Sequence, residues 1–322
     1  MGFNRPQEIK ELLESLIEVK GNFEVVIIED GSDDTCEEIV KAFDQKLNIS
    51  YFFKANTGPG NSRNYGMQRA RGNYFIILDS DVIVPSNYIK DVHTGLKSTY
   101  LDVYGGPDQA HASFTDTQKA IDFVMTAFLT TGGLRAGEVS TDYEPRSFNM
   151  GISKAAFLAS GGFGSMHPGE DPDLSIRLRA QKFKIGFIKK AFVYHKRRVD
   201  FSNFSSQMLK FGMVRSILIK HYPHTHKFTY WFPSFYTLGL ILSLLFLMFK
   251  VNLVIYAYLF YSILIFLGSV ITHKDLKIGI LSVYAVQIQF LSYGYGFLES
   301  YLKIHILRKK PKETYPNLFF NQ

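Results

Sequence analysis

The acids of this 322-residue chain fall in pairs at a few chosen places. Asp79 and Asp81 stand one residue apart at the end of the apolar stretch NYFIILDSDVIVP, residues 73–85. Glu29 and Asp30 end a second apolar run, FEVVIIEDGS, and Glu170 and Asp171 lie in GED immediately before Pro172. His195 closes the run KIGFIKKAFVYH. Carboxylates and imidazoles grouped in this way can take a proton from a hydroxyl or hold a hard cation. A lone Asp-x-Asp is more often only a turn whose side chains bond to the local backbone. The elements that carry the acids must decide between the two.

Those elements alternate. QEIKELLESLIEV (7–19) places Ile9, Leu12, Leu13, Leu16 and Ile17 on one helical face. FEVVIIEDGS reads as a buried strand, DTCEEIVKAFDQ as a helix, and NISYFF as a strand. GPGNSRNYGMQRARG is a Gly-rich turn entering a helix, and NYFIILDSD is the next strand. Such alternation implies parallel pairing, with ligands gathering at the carboxyl ends of the strands. Glu29–Asp30 and Asp79–Asp81 both sit at such ends, which favours a ligand over a surface turn. From about 108 to 148 the pattern is irregular, with one helix and a long polar loop of the kind that often lines a site. NMGISKAAFLASGGF then gives a strand and a helix, and GEDPDLSIRLRAQKF a helix with Asp171 as its expected N-cap.

The composition divides the chain. Residues 230–302 are nearly uncharged and rich in Leu, Ile, Phe and Tyr, with apolar runs at 230–249 and 251–272, each near the ~20 residues of a helical span. A third run, 276–302, carries Gln287, Gln289 and Glu299 and is expected to lie in the membrane interface, leaving both ends on the cytoplasmic side. Eleven Lys or Arg against one acid, Asp200, fill Lys182–Lys227. Such a collar just before apolar spans suits a membrane surface rather than nucleic acid. His221, His224 and His226 lie in that basic, aromatic stretch with no acid nearby, so an interfacial role is expected for them rather than a metal cluster. One cysteine, Cys36, excludes an internal disulfide and fits a reducing compartment. No leader of the secretory type is visible, which points to a cytoplasmic catalytic part on the inner membrane. The expected domains are 1–228 and 229–322.

In their order, EDGSDDT, GPGNSRNYG, DSD, NMGISKAAFLASGGF, GED and YHKRR resemble the inverting glycosyltransferases of family 2 over residues 3–215. The resemblance implies the GT-A fold, a Rossmann-like mixed sheet flanked by helices, and a nucleotide-diphosphate sugar as donor, with UDP favoured. It implies Mn2+ or Mg2+ held by Asp81 and completed by His195, with Asp79 on the ribose side. It implies Asp30 as acceptor of the uracil imide hydrogen, with Gly31 turning the chain beneath the base. Arg63 is either a nucleotide contact or structural. Asp171 matches the catalytic base and Glu170 stands beside it. Lys196, Arg197 and Arg198 are candidates to neutralise the diphosphate.

One departure is large. The family begins with an apolar strand between those that end in Glu29–Asp30 and in Asp79–Asp81, whereas this sequence begins at the loop GFNRP. The expectation is that the start is misplaced and that coding sequence upstream supplies the strand. The functional expectation is transfer of a sugar to the hydroxyl of a lipid-linked saccharide or cell-surface polysaccharide. Polyprenyl-phosphate sugar synthesis, nucleotidyl transfer and a non-catalytic membrane scaffold remain as alternatives.

Overall fold

A computed structural model describes residues 3–109, 111, 114–132, 143–196, 200–250 and 253–320. In chain order the elements begin with α1 (Pro6–Ile17), β1 (Val25–Asp30), α2 (Glu37–Lys41), β2 (Ile49–Lys54) and α3 (Pro59–Arg69). β3 (Tyr74–Leu78), β4 (Val82–Ile83), α4 (Tyr88–Ser98), β5 (Val103–Gly105) and β6 (Asp108–Gln109) follow. Next come α5 (Asp116–Thr126), α6 (Phe128–Thr131), β7 (Asn149–Ser153), α7 (Lys154–Ser160), α8 (Glu170–Ala180), β8 (Ile185–Phe187) and β9 (Val193–His195). The chain continues with α9 (Phe201–His221), α10 (Phe232–Leu247), α11 (Leu253–His273), α12 (Leu276–Tyr301) and α13 (Pro311–Thr314).

Two compact units result. One comprises Met1–His111, Ala136–Lys196 and Phe319–Gln322; the other comprises Ala112–Arg135 and Arg197–Leu318. The first is α/β. β1 and β2 pair in parallel with Asp30 opposite Lys54. β7 runs antiparallel to both β3 and β5, and β8 runs parallel to β5. β9 joins β4 antiparallel and β6 parallel, setting His195 opposite Val82 and Asp108 opposite Val193. The strands are therefore mixed rather than purely parallel, because β7 reverses direction between β3 and β5. β1 pairs with β2 only and β3 with β7 only, so each keeps one edge with no strand beside it among the described residues.

Two apolar clusters hold this unit. α1, whose Ile9 and Leu13 are fully buried, packs with Val25, Ile27, Val82, Tyr88 and Tyr104. Met150, Ile152, Leu174 and Leu178 pack with Phe75 and Phe157 on the other side. Burying such side chains stabilises the unit by ~1.5–3 kcal/mol each. Cys36 is buried beside Glu29, whose Oε2 accepts from the Cys36 N–H, the thiol and the Tyr51 hydroxyl. Burial first, and then the Glu29 charge, push the thiol up to about 12.

The second unit is helical. α5 starts in a Thr115–Gln118 capping box, and the Asp200 and Asp275 side chains cap α9 and α12. Ile121, Phe204, Met208, Ile265, Ala285 and Phe290 form its core. Backbones approach closely at Gly212, where an added Cβ would lie 2.2 Å from Tyr293 O, and at Gly296, where it would lie 2.3 Å from Leu209 O. Among the described residues, three stretches are long and apolar enough to cross a membrane: Phe228–Phe246, Leu253–His273 and Leu276–Ile306, with mean hydropathy 1.3, 2.2 and 1.2. His226 accepts from the Trp231 indole at 2.8 Å. His221 and His224 make ring contacts with Tyr222.

Candidate functional site

The β4–β9 ladder fixes the first part of the site. By bringing His195 opposite Val82 it sets the ring beside Asp81, and Lys196 N–H donates to Asp81 O at 2.9 Å. His195 Nε2 lies 3.4 Å from Asp81 Oδ1, and its Nδ1 lies 3.6 Å from Asp108 Oδ2. The Phe148 ring stacks on the imidazole at 4.5 Å with an 18° tilt. Arg5 Nη1 donates to Asp81 Oδ2 at 3.0 Å. Burial would raise the Asp81 carboxyl, but His195 and then Arg5 outweigh it and hold it below the usual range.

Asp81 Oδ1 is buried and accepts no hydrogen bond. A carboxylate oxygen and an imidazole nitrogen that converge in this way fit a hard divalent ion that completes its shell with water and substrate phosphate. Among the described residues, no three His, Cys, Asp or Glu cluster into a self-sufficient metal site.

Arg63 joins this region to the second pair of acids. From α3 its Nη2 donates to Asp79 Oδ1 at 2.8 Å and its Nη1 to Glu170 Oε1 at 3.0 Å. Burial opposes its charge, but Asp79 and Glu170 more than compensate and keep the guanidinium firmly protonated. Both Nη groups are thus engaged with acids of the candidate site. Asp79 is about a third exposed at its side chain. Glu170 is buried and accepts also from His167 Nδ1 at 2.8 Å. Burial would raise it, but His167 and Arg63 lower it to about 2.

Asp171 differs from its neighbour. The N-cap of α8 is Gly169, φ +124°, and no side chain caps the helix. The expected capping role of Asp171 is thereby corrected: Glu170 already lies in the helix, and Asp171 turns toward the 147 loop. There Oδ2 accepts from Ser147 N–H at 3.0 Å and from its hydroxyl at 3.2 Å, while Oδ1 is buried without a partner. Burial and the Glu170 charge raise its pKa to about 6, against the opposing effect of Arg63. A carboxylate of raised basicity with one idle oxygen is suited to receive a proton.

Asp30 forms a third feature. Its Oδ1 accepts from Lys54 Nζ and from Thr57 N–H at 3.0 Å, and its Oδ2 from Gly58 N–H at 3.0 Å. Gly31 follows at φ +73°, and a Cβ there would lie 2.7 Å from Asn56 N, so only glycine suits the turn. Lys196 pairs with Glu11. Arg197 and Arg198 lie outside the described residues, as do 110, 112–113 and 133–142 of the expected 108–148 loop.

Arg5, Lys54, Asp108, Ser147 and His167 were not singled out in the sequence. Two had a signal. Lys54 ends β2 directly opposite Asp30, and His167 stands three residues before Glu170. Arg5, Asp108 and Ser147 are brought in by tertiary pairing that no local pattern announces.

Residues 3–157 match the family model described as Glycosyl transferase family 2. An uncharacterized glycosyltransferase of Rickettsia felis is 42% identical over 80 residues, covering 24% of this chain and 13% of that protein. The poly(ribitol-phosphate) beta-N-acetylglucosaminyltransferase TarS of Staphylococcus aureus is 33% identical over 106 residues, 31% of this chain and 18% of that protein. The matches thus span less than a fifth of those relatives' length. The solved mannosyltransferase of Pyrobaculum calidifontis, in complex with GDP-Man and Mn2+, superposes with TM-score 0.59 at 13% identity over 94% of this chain and 85% of its own. Mixed ladders, acids at the strand ends and the matched segment agree: residues 3–157 are similar to glycosyltransferase family 2, and the fold is GT-A.

Proposed function

We propose that the chain is a membrane-anchored, metal-dependent inverting glycosyltransferase that moves a sugar from a nucleotide-diphosphate donor, UDP-linked, to an acceptor hydroxyl. The observation that carries this reading is Asp171 Oδ1, a buried carboxylate oxygen with no partner on a group whose pKa is raised to about 6. Direct displacement at an anomeric carbon needs one such base to take the acceptor proton. Glu170, tied to Arg63 and His167, is held as the ionised neighbour that raises Asp171.

Asp81 and His195 would hold Mn2+ or Mg2+, which supplies Lewis-acid neutralisation of the leaving diphosphate. Asp79 would meet the ribose and Asp30 the base. The three apolar stretches support attachment to the inner membrane with the α/β unit cytoplasmic, the first domain ending near 228. Such an anchor suits a lipid-linked or cell-surface polysaccharide acceptor.

The test is to incubate purified chain with labelled nucleotide sugars, with and without Mn2+, and to repeat with Asp171→Asn. Metal-dependent turnover that Asp171→Asn lowers by about 10²–10⁴ supports the reading. Full turnover in that variant points instead to a phosphate acceptor, as in polyprenyl-phosphate sugar synthesis. Absence of any nucleotide-sugar binding favours the scaffold.

A further inference from the structure

The apolar stretch Leu276–Ile306 runs directly into the basic segment Lys303–Lys312. A π turn, Leu302–Ile306, follows α12, and Arg308, at φ +54°, turns the chain toward α13. Lys303, Arg308, Lys309, Lys310, Glu313 and Thr314 then line one cavity of about 580 Å³. Its walls are held in place. His305 Nε2 donates to Ser216 O at 2.9 Å and Ser300 Oγ to Met213 O at 3.1 Å, which ties this end of the helix to α9. The Tyr315 hydroxyl donates to Glu299, which also pairs with Lys303, so the end of α13 is tied back to α12.

The charges of the cavity define a ligand. Lys303 is paired with Glu299, and Lys310 with Glu313 at 2.8 Å. Arg308 and Lys309, both exposed, are left as its uncompensated cations among the described residues. A guanidinium, an ammonium and the Thr314 hydroxyl together suit the oxygens of a phosphate. Leu302, Ile306 and Leu307, next to these cations in sequence, are exposed as well, at 48%, 62% and 57%. Such an apolar border suits acyl chains and not a nucleic acid. The Trp231 ring lies 4.7 Å from Tyr301, two residues before Lys303, an aromatic pair of the kind that settles at headgroup level.

Resting on the membrane-anchor reading above, we propose that this cavity binds the phosphate of an anionic phospholipid. Arg308 and Lys309 meet the phosphate, the already paired Lys303 and Lys310 shape the rim, and the acyl chains lie along Leu302, Ile306 and Leu307.

The experiment uses the full chain in a neutral maltoside detergent, with short-chain phosphatidylglycerol as the probe and calorimetric Kd as the readout. Saturable binding at least about fivefold tighter than that of phosphatidylcholine or glycerol phosphate supports the proposal. Equal binding of the two lipids overturns it. Glycerol phosphate binding as tightly as phosphatidylglycerol assigns the cavity to a free phosphate and overturns the lipid. The double variant Arg308→Gln/Lys309→Gln should lose at least about fivefold in affinity for phosphatidylglycerol. Lys46→Gln/Lys97→Gln removes the same charge from the α/β unit and should leave that affinity unchanged. Equal losses in both would reveal a response to net charge and overturn the site. If the first variant does not fold, hydrogen exchange in the unaltered chain decides. Phosphatidylglycerol should protect the peptide spanning 303–314, and unchanged exchange there overturns the proposal. Flotation on phosphatidylcholine vesicles separates the two levels. If the chain does not float, the anchor reading fails and the site with it. If it floats and phosphatidylglycerol is not preferred, only the site fails.

Discussion

Asp79 and Glu170, far apart in sequence, share one guanidinium: Arg63 reaches the first at 2.8 Å and the second at 3.0 Å. The acid that follows a strand and the acid that opens a helix are thereby locked into one rigid group. Removing the shared cation would leave buried Glu170 with His167 as its one remaining side-chain partner. Arg63→Met should destabilise the α/β unit by about 3–5 kcal/mol, read from denaturant unfolding. A change under about 1 kcal/mol would show that the bridge is ornamental.

The pH dependence follows from Asp171. Its folded pKa of about 6 exceeds the ordinary 3.8, so the folded state binds the extra proton between those values. The stability this gives is fully present below 3.8 and is lost as pH rises through about 6. With Asp171 as the proposed base, catalysis is expected to run the other way, since the base must be ionised. Turnover should fall as pH drops below about 6, and the residual turnover of Asp171→Asn should lack that limb. An unchanged limb in the variant assigns it to another group.

Metal affinity should depend on Asp108 as well as on Asp81 and His195. Asp108 Oδ2 lies 3.6 Å from His195 Nδ1, on the side of the ring away from Asp81. A carboxylate there steadies the ring and its tautomer. Asp108→Asn should weaken Mn2+ binding about 10–100-fold by electron paramagnetic resonance titration, and Asp81→Asn by more. Chelation should abolish turnover in the unaltered protein, with Mn2+ restoring it.

Gly31 offers a purely conformational test. With φ +73° and only 2.7 Å from its virtual Cβ to Asn56 N, Gly31→Ala should cost at least about 1–3 kcal/mol of unfolding free energy. Nucleotide affinity should fall with it, because the turn at Gly31 sets the direction of Asp30.

Most of the α/β unit was legible from period alone. α1, β1, α3, β3, β7 and α8 each lie within a residue or two of their apolar patterns, and the acids at strand ends follow from that register. The mixed strand order was not legible, because β4, β5, β6, β8 and β9 are two or three residues long. Pairing, not propensity, defines strands so short, and those pairings deliver Asp108 and His195. The capping assignment for Asp171 failed for a related reason. A glycine at φ +124° starts α8 two residues early, and sequence does not reveal that angle. Asn4, at φ +51°, shows the same limit: it binds Ser32, Asp33 and Asp34 through contacts that only the folded loop creates.

The enclosure of Cys36 has a practical outcome. A thiol pushed up to about 12 and shut beside Glu29 is almost wholly un-ionised at neutral pH, so alkylating reagents should pass it by. The native protein therefore serves as its own thiol-silent background. A single reporter cysteine placed at Lys227, Lys250 or Lys309 in turn would take up a membrane-impermeant maleimide only from the face it occupies. Labelling of Lys227→Cys and Lys309→Cys from the same side would place α12 in the interface, and labelling from opposite sides would make it a third crossing.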